Sequence, residues 1–206
     1  MRRSLCWLAT LYLMVTGFTG SAQADPLSEA QAAYDRKDYA SAHKLLRPLA
    51  EKGSVEATML LGVMYYKGEG VAISDAEAAK WFELANSQQP TPPLQSKIGA
   101  VYYKGNGLAP DYSKAQRWYR QAAGQGYDAA QMALSLMYNG KGLPRNETKA
   151  YMWALLAFEN GNNPEVKSLA RDVLNQLGPQ LLSSKIQTAE TMAQRCRDSG
   201  YADCDG

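Results

Sequence analysis

The sequence predicts an all-α fold: a right-handed α/α superhelix, a solenoid of helix-turn-helix units, closed by a C-terminal capping helix pair. Three observations carry that reading. Three segments align on one another: Leu61-Gly62-Val63-Met64-Tyr65-Tyr66-Lys67-Gly68-Glu69-Gly70-Val71, Ile98-Gly99-Ala100-Val101-Tyr102-Tyr103-Lys104-Gly105-Asn106-Gly107-Leu108 and Leu134-Ser135-Leu136-Met137-Tyr138-Asn139-Gly140-Lys141-Gly142-Leu143. Each is followed at a near-constant distance by an alanine-rich stretch holding a tryptophan, so that Trp81, Trp118 and Trp153 recur 37 and then 35 residues apart. Within the units, apolar residues return every three or four positions, the spacing of one helix face. A repeat of this period decides the architecture, because one hairpin cannot bury its apolar faces alone and stacking successive hairpins does so.

Taken in chain order, Met1-Arg2-Arg3, the apolar residues 5–18 and Ala22-Gln23-Ala24 read as a signal peptide over 1–24, cleaved after Ala24. An uncleaved anchor is the alternative, but an apolar run of about 14 residues, broken by Thr10 and Thr16, falls short of the roughly 20 that span a bilayer. The expectation is an exported chain, periplasmic or secreted, with no stable membrane insertion after cleavage. Residues 25–206 then form a single solenoid domain.

Its first pair, 28–52, carries the loosest match, Tyr34-Asp35-Arg36-Lys37-Asp38-Tyr39-Ala40-Ser41-Ala42, with Leu45, Leu46 and Leu49 as core and Gly53 as stop. In the pair 54–88, Ala57, Leu60, Leu61, Met64 and Tyr65 share one helix face. Gly68-Glu69-Gly70 then turns the chain, since glycine accepts the left-handed backbone that ends a helix. A second helix buries Ala78, Trp81, Phe82 and Ala85. Pro90-Thr91-Pro92-Pro93 marks the loop before the first helix of the pair 91–124, which starts at about Pro93, as proline fits a helix's first turn but not its interior. A third such pair covers 127–160. After Asn160-Gly161-Asn162-Asn163-Pro164 the repeat ends, and 164–206 reads as a cap, with helices near 165–177 and 179–199 split at Gly178-Pro179.

Cleavage would remove Arg2 and Arg3, leaving 20 basic against 20 acidic residues. A formally neutral surface has no electrostatic footprint for nucleic acid. Cys6 leaves with the signal, so Cys196 and Cys204 remain. An even count in an exported chain reads as a disulfide, worth about 2.6 kcal/mol for so short a loop; two free thiols are the alternative.

These motifs resemble the Sel1-like repeat, a relative of the tetratricopeptide repeat, with the pattern Leu-Gly-x-x-Tyr, Gly-x-Gly-Val, an Asp, Ala-x-x-Trp-Tyr and Ala-Ala-x-x-Gly. The middle unit matches best, at Gly99, Tyr102, Gly105, Gly107, Asp111, Ala115, Trp118, Tyr119, Ala122, Ala123 and Gly126. The corresponding repeat positions are Gly62, Tyr65, Gly68, Gly70 and Trp81 in the unit before it, and Tyr138, Gly140, Gly142 and Trp153 in the unit after it. Ser74 and Asn146 stand where the pattern has Asp, Leu94 replaces a small residue, and Ser135 replaces the glycine. The resemblance implies a protein-binding scaffold, in envelope assembly, signalling or host contact, with no cofactor. One bacterial branch with a disulfide inside every repeat is linked to penicillin-like compounds; no cysteine lies in the repeats here.

The residues argue independently against an enzyme. His43 is the single histidine, so no Ser-His-acid or Cys-His set can be assembled, and no metal-ligand spacing is present. The Gly-x-Gly pairs follow helices rather than strands and lack the Walker lysine spacing, which makes them turns rather than phosphate loops.

Binding is the stronger expectation. Tyr66 and Tyr103 follow the repeat tyrosines and are themselves followed by Lys67 and Lys104, Asn139 stands in the equivalent place, and Tyr34 is similarly placed in the first pair. One residue further round a helix is about 100°, which turns these side chains toward the concave face. Tyrosine gives contact area at low entropy cost, and lysine adds a donor, so the row suits an extended peptide or acidic segment. The other reading packs the tyrosines between units and leaves the lysines solvated. Met59 and Met132, two turns earlier, either extend the groove or join the core. A second function class, a binder or hydrolase of cell-wall or β-lactam-type molecules, predicts instead a deep enclosed pocket with converging polar groups.

Overall fold

The structure, a computed structural model, describes residues 25–204; the signal-peptide reading of 1–24 lies outside the described residues. The chain runs through ten α-helices in this span: α1 (Pro26–Asp35), α2 (Tyr39–Glu51), α3 (Val55–Lys67), α4 (Asp75–Gln88), α5 (Pro92–Lys104), α6 (Tyr112–Ala123), α7 (Asp128–Tyr138), α8 (Glu147–Asn160), α9 (Pro164–Leu177) and α10 (Ser183–Asp198). Among the described residues there is no strand, and each helix from α1 to α8 packs against the next, as in a solenoid of stacked hairpins. No helix of this span is long and apolar enough to cross a membrane.

The second helix of each unit starts the same way. Asp38, Ser74, Asp111 and Asn146 each accept the backbone N–H three residues on, at 3.2, 3.2, 2.8 and 3.0 Å. These are interchangeable N-caps, satisfying one of the donors a helix start leaves orphaned. Serine and asparagine where the repeat pattern has aspartate therefore preserve the same function. The capping residue's own N–H donates to a carbonyl at the end of the first helix: Ala33, Tyr65, Tyr102 and Tyr138 respectively. These bonds close the four turns and tie the two helices of each unit together.

The repeat tyrosine also ties each unit to the one before it. Tyr65 Oη lies 3.4 Å from His43 Nε2 on α2; Tyr102 Oη donates to Glu83 on α4 at 2.8 Å; Tyr138 Oη accepts from Gln116 and Arg120 on α6 at 2.8 and 2.7 Å. Each such bond contributes about 1 kcal/mol, more where the partner is charged. A second link joins turn to helix: Asp75 N–H donates to the Asn106 carbonyl at 2.8 Å, and the Asp75 carboxylate accepts the Asn106 N–H.

Inside each hairpin, size is matched across the contact. A Cβ placed on Gly62 would lie 2.5 Å from the Phe82 ring, and one on Gly99 would lie 2.8 Å from Tyr119. Glycine is what lets these rings lie against the first helix. Trp81 and Trp153 are buried; Trp118 is half-buried.

The closing segment departs from the expected helix at 179. Pro179 sits in a single 3₁₀ turn, Gly178–Gln180, and α10 begins only at Ser183 after the extended Leu182. Proline's missing N–H suits the first position of a tight turn. α10 then packs on α8 rather than α9, tied by an Arg197–Glu159 ion pair, and Cys196 and Cys204 are joined by a disulfide with Cα atoms 4.4 Å apart. Within the loop that it closes, Tyr201 reaches back against Gly124 and Gly126, at the α6–α7 elbow.

Candidate partner-binding clefts

The residue after each turn-closing carbonyl is Tyr34, Tyr66, Tyr103 or Asn139. Three of these line successive depressions between the first helices. Tyr66 lines a cleft of about 300 Å³ between α3 and α5, together with Val63, Ala100 and Tyr127. Lys67, Lys97 and Ser96 supply its polar side, and no carboxylate lines it. Tyr103 lines a smaller apolar recess of about 120 Å³ with Tyr119, Leu136 and Met137. Asn139, at the end of α7, lines a cleft of about 420 Å³ with Lys141, Arg145, Leu169 and Asp172. The clefts are open to solvent.

Tyr66 and Tyr103 are half-buried and packed against the core, so each has one side in the interior and one in a cleft. The Lys104 ammonium lies 5.0 Å from the centre of the Tyr66 ring, a cation–π contact that positions this lysine beside the first cleft. Tyr103 meets Tyr112 edge-to-face, with centroids 5.6 Å apart. Tyr119 lies buried beneath; burial pushes its phenol well above the ordinary tyrosine range, and the neighbouring Tyr66 and Tyr103 add to the effect. Burial likewise raises Tyr103, with Tyr112 contributing, and Tyr127, with Asp128 contributing. These phenols stay protonated and neutral through the neutral pH range.

Tyr34 is placed differently. Its hydroxyl donates to Glu69 Oε2 at 2.5 Å, Tyr39 donates to Oε1 of the same carboxylate at 3.4 Å, and Lys67 pairs with it at 3.6 Å. Burial pushes the Tyr34 phenol up, and the Glu69 hydrogen bond pushes it further. Tyr34 thus fastens the first hairpin to the next turn. Met132 is core, while Met59 is half-buried against it.

Lys97 and Tyr127 are cleft residues that the repeat alignment does not single out. Lys97 stands seven residues before Lys104 on α5, two turns along one face, and that spacing is the sequence signal for it. Among the described residues, Lys97, Lys104 and Lys141 make no ion pair, and no group of three or more His, Cys, Asp or Glu could hold a metal ion.

Stacked hairpins, tied by tyrosines and open along their first helices, define an α-solenoid of the repeat-scaffold class. The chain belongs to the Sel1 repeat family, whose model matches residues 31–54, 55–89, 92–127 and 128–162. The first of these matches makes the N-terminal hairpin a fourth repeat. Sel1 repeat proteins are generally protein-interaction scaffolds. A Sel1 repeat protein from Oxalobacter formigenes is similar at 30% identity, covering 68% of this chain and 55% of that one, with a TM-score of 0.53. A protective antigen of uropathogenic Escherichia coli with an SLR fold is similar at 23% identity, covering 87% and 48%, with a TM-score of 0.43. The chain thus spans about half the length of these two solved structures. No curated protein matches it.

Proposed function

We propose that this chain is an exported scaffold that holds a protein or peptide partner along its first-helix face, in envelope assembly, signalling or host contact. The observation that carries this is the placement of Tyr66, Tyr103 and Asn139, equivalent by repeat, in three successive open clefts. An extended segment laid along the stack would meet one cleft per unit, a repeating surface of the kind solenoids use for binding. The Cys196–Cys204 disulfide supports an oxidising compartment, periplasmic or extracellular.

The test is affinity capture from envelope extract followed by hydrogen-exchange footprinting. Protection of α3, α5 and α7, lost in a Tyr66→Ala/Tyr103→Ala double variant, is the expected result. Protection confined to α4, α6 and α8 would overturn the reading.

A further inference from the structure

We infer that the α3–α5 cleft receives an acidic segment anchored by one bulky apolar side chain, a proposal that rests on the groove reading and narrows it. The cleft has room for a single large side chain, and its sides are apolar and aromatic: Val63, Ala100, Tyr66 and Tyr127. Its polar side is cationic. Lys67 and Lys97 line it, Lys104 stands over the Tyr66 ring at 5.0 Å, and no Asp or Glu lines it. Glu69 holds Lys67 at 3.6 Å, whereas Lys97 and Lys104 have no carboxylate partner among the described residues.

That leaves two cations two turns apart on one helix face, beside an apolar pocket, in a chain whose residues 25–206 are formally neutral. Carboxylates flanking a buried side chain would complete this arrangement: the pocket supplies the anchor, and the lysines select sign and steer approach. The α7–α9 cleft is different. Asp172 lines it alongside Lys141 and Arg145, and Arg145 is already held by Glu147 at 2.8 Å, so its charge is mixed.

The experiment is fluorescence anisotropy of the chain without residues 1–24 against three synthetic peptides: Asp/Glu-rich with one central Phe, the same with Lys for each acid, and the same acidic peptide with Ser for Phe. The acidic Phe peptide should bind at least tenfold more tightly than either control and weaken as salt rises. Lys97→Glu and Lys104→Glu should each weaken it at least fivefold with unchanged melting, while Lys141→Glu leaves it unaltered. Equal binding of the acidic and basic peptides, or equal loss from Lys141→Glu, overturns the inference. If such peptides still protect α3, α5 and α7 from exchange, the groove reading survives its failure; protection of the second helices alone sinks both. Self-association abolished by Lys97→Glu would assign the cleft to a second copy and also overturn it.

Discussion

The α5–α6 unit and the α7–α8 unit bring their two helices together with opposite choices of size. In the first, glycine on the inner helix meets an aromatic ring, Gly99 against Tyr119, as Gly62 meets Phe82 one unit earlier. In the second, Ser135 takes the glycine's place and Ala154 the ring's place by register, and the Ser135 hydroxyl donates to the Ala150 carbonyl at 2.7 Å. One unit sets a large side chain over a bare backbone; the other has two small buried residues at the equivalent places. The Ser135 and Ala154 pair is smaller than a glycine and ring together, yet both residues are fully buried, so what the repeat preserves is a closely packed interior rather than a fixed side chain at either place.

The comparison breaks hardest at Ala154. Ala154→Phe alone adds a ring at a fully buried position and should cost about 3 kcal/mol; adding Ser135→Gly, which restores the glycine of the other units, should return most of it. Urea melts of the two single variants and the double should show non-additivity of at least about 1 kcal/mol, and simple additivity would refute the coupling of these two positions. Gly62→Ala comes next. Helix propensity favours alanine by about 1 kcal/mol, yet the Phe82 ring leaves no room, so a net loss of about 2 kcal/mol is expected. Ser135→Ala should lose less, about 1 kcal/mol for the hydroxyl bond. A stabilised Gly62→Ala protein would reverse the sign the packing requires.

Smaller effects sharpen the comparison at the turns. Alanine at Ser74 or Asn146 should cost about 1 kcal/mol, whereas aspartate at either should change stability by a few tenths of a kcal/mol, read from thermal melts. The smallest effect appears only in alkali. Tyr102 is pushed up to about 12, by burial first and then by its hydrogen bond to Glu83. A raised folded-state value means that the protonated phenol is favoured in the fold. Its contribution is thus intact below about pH 10 and fades as pH rises through 12. Melting points followed from pH 9 to 12 should fall less steeply for Tyr102→Phe than for the parent.

Spacing made the stack legible because glycine turns and tryptophans recur where backbone and core demand them. The first repeat was harder to read. Its turn is short, and Lys37 rather than glycine takes the left-handed backbone there, at φ 63°, so the strongest punctuation is missing. The Ser135–Ala154 exchange was equally hidden, since its two halves lie 19 positions apart in the sequence. For the candidate site, periodicity placed Tyr66, Tyr103 and Asn139 on one row, but it could not reveal that Glu69, 35 residues away, engages Tyr34. Local pattern reports which face a side chain occupies; a distant partner's reach is set by the superhelix itself.

The backward run of α10 has a consequence for how the chain comes apart. A linear array held by nearest-neighbour interfaces can peel from either terminus. Here the distal terminus is fastened to earlier units, through Arg197 to α8 and through Tyr201 to the α6–α7 elbow, with Cys196–Cys204 locking the loop between. Peeling from that side must release several helices together, while the opposite side needs to shed only α1 and α2. Amide protection should therefore grade along the molecule, weakest at the start and strongest near α8.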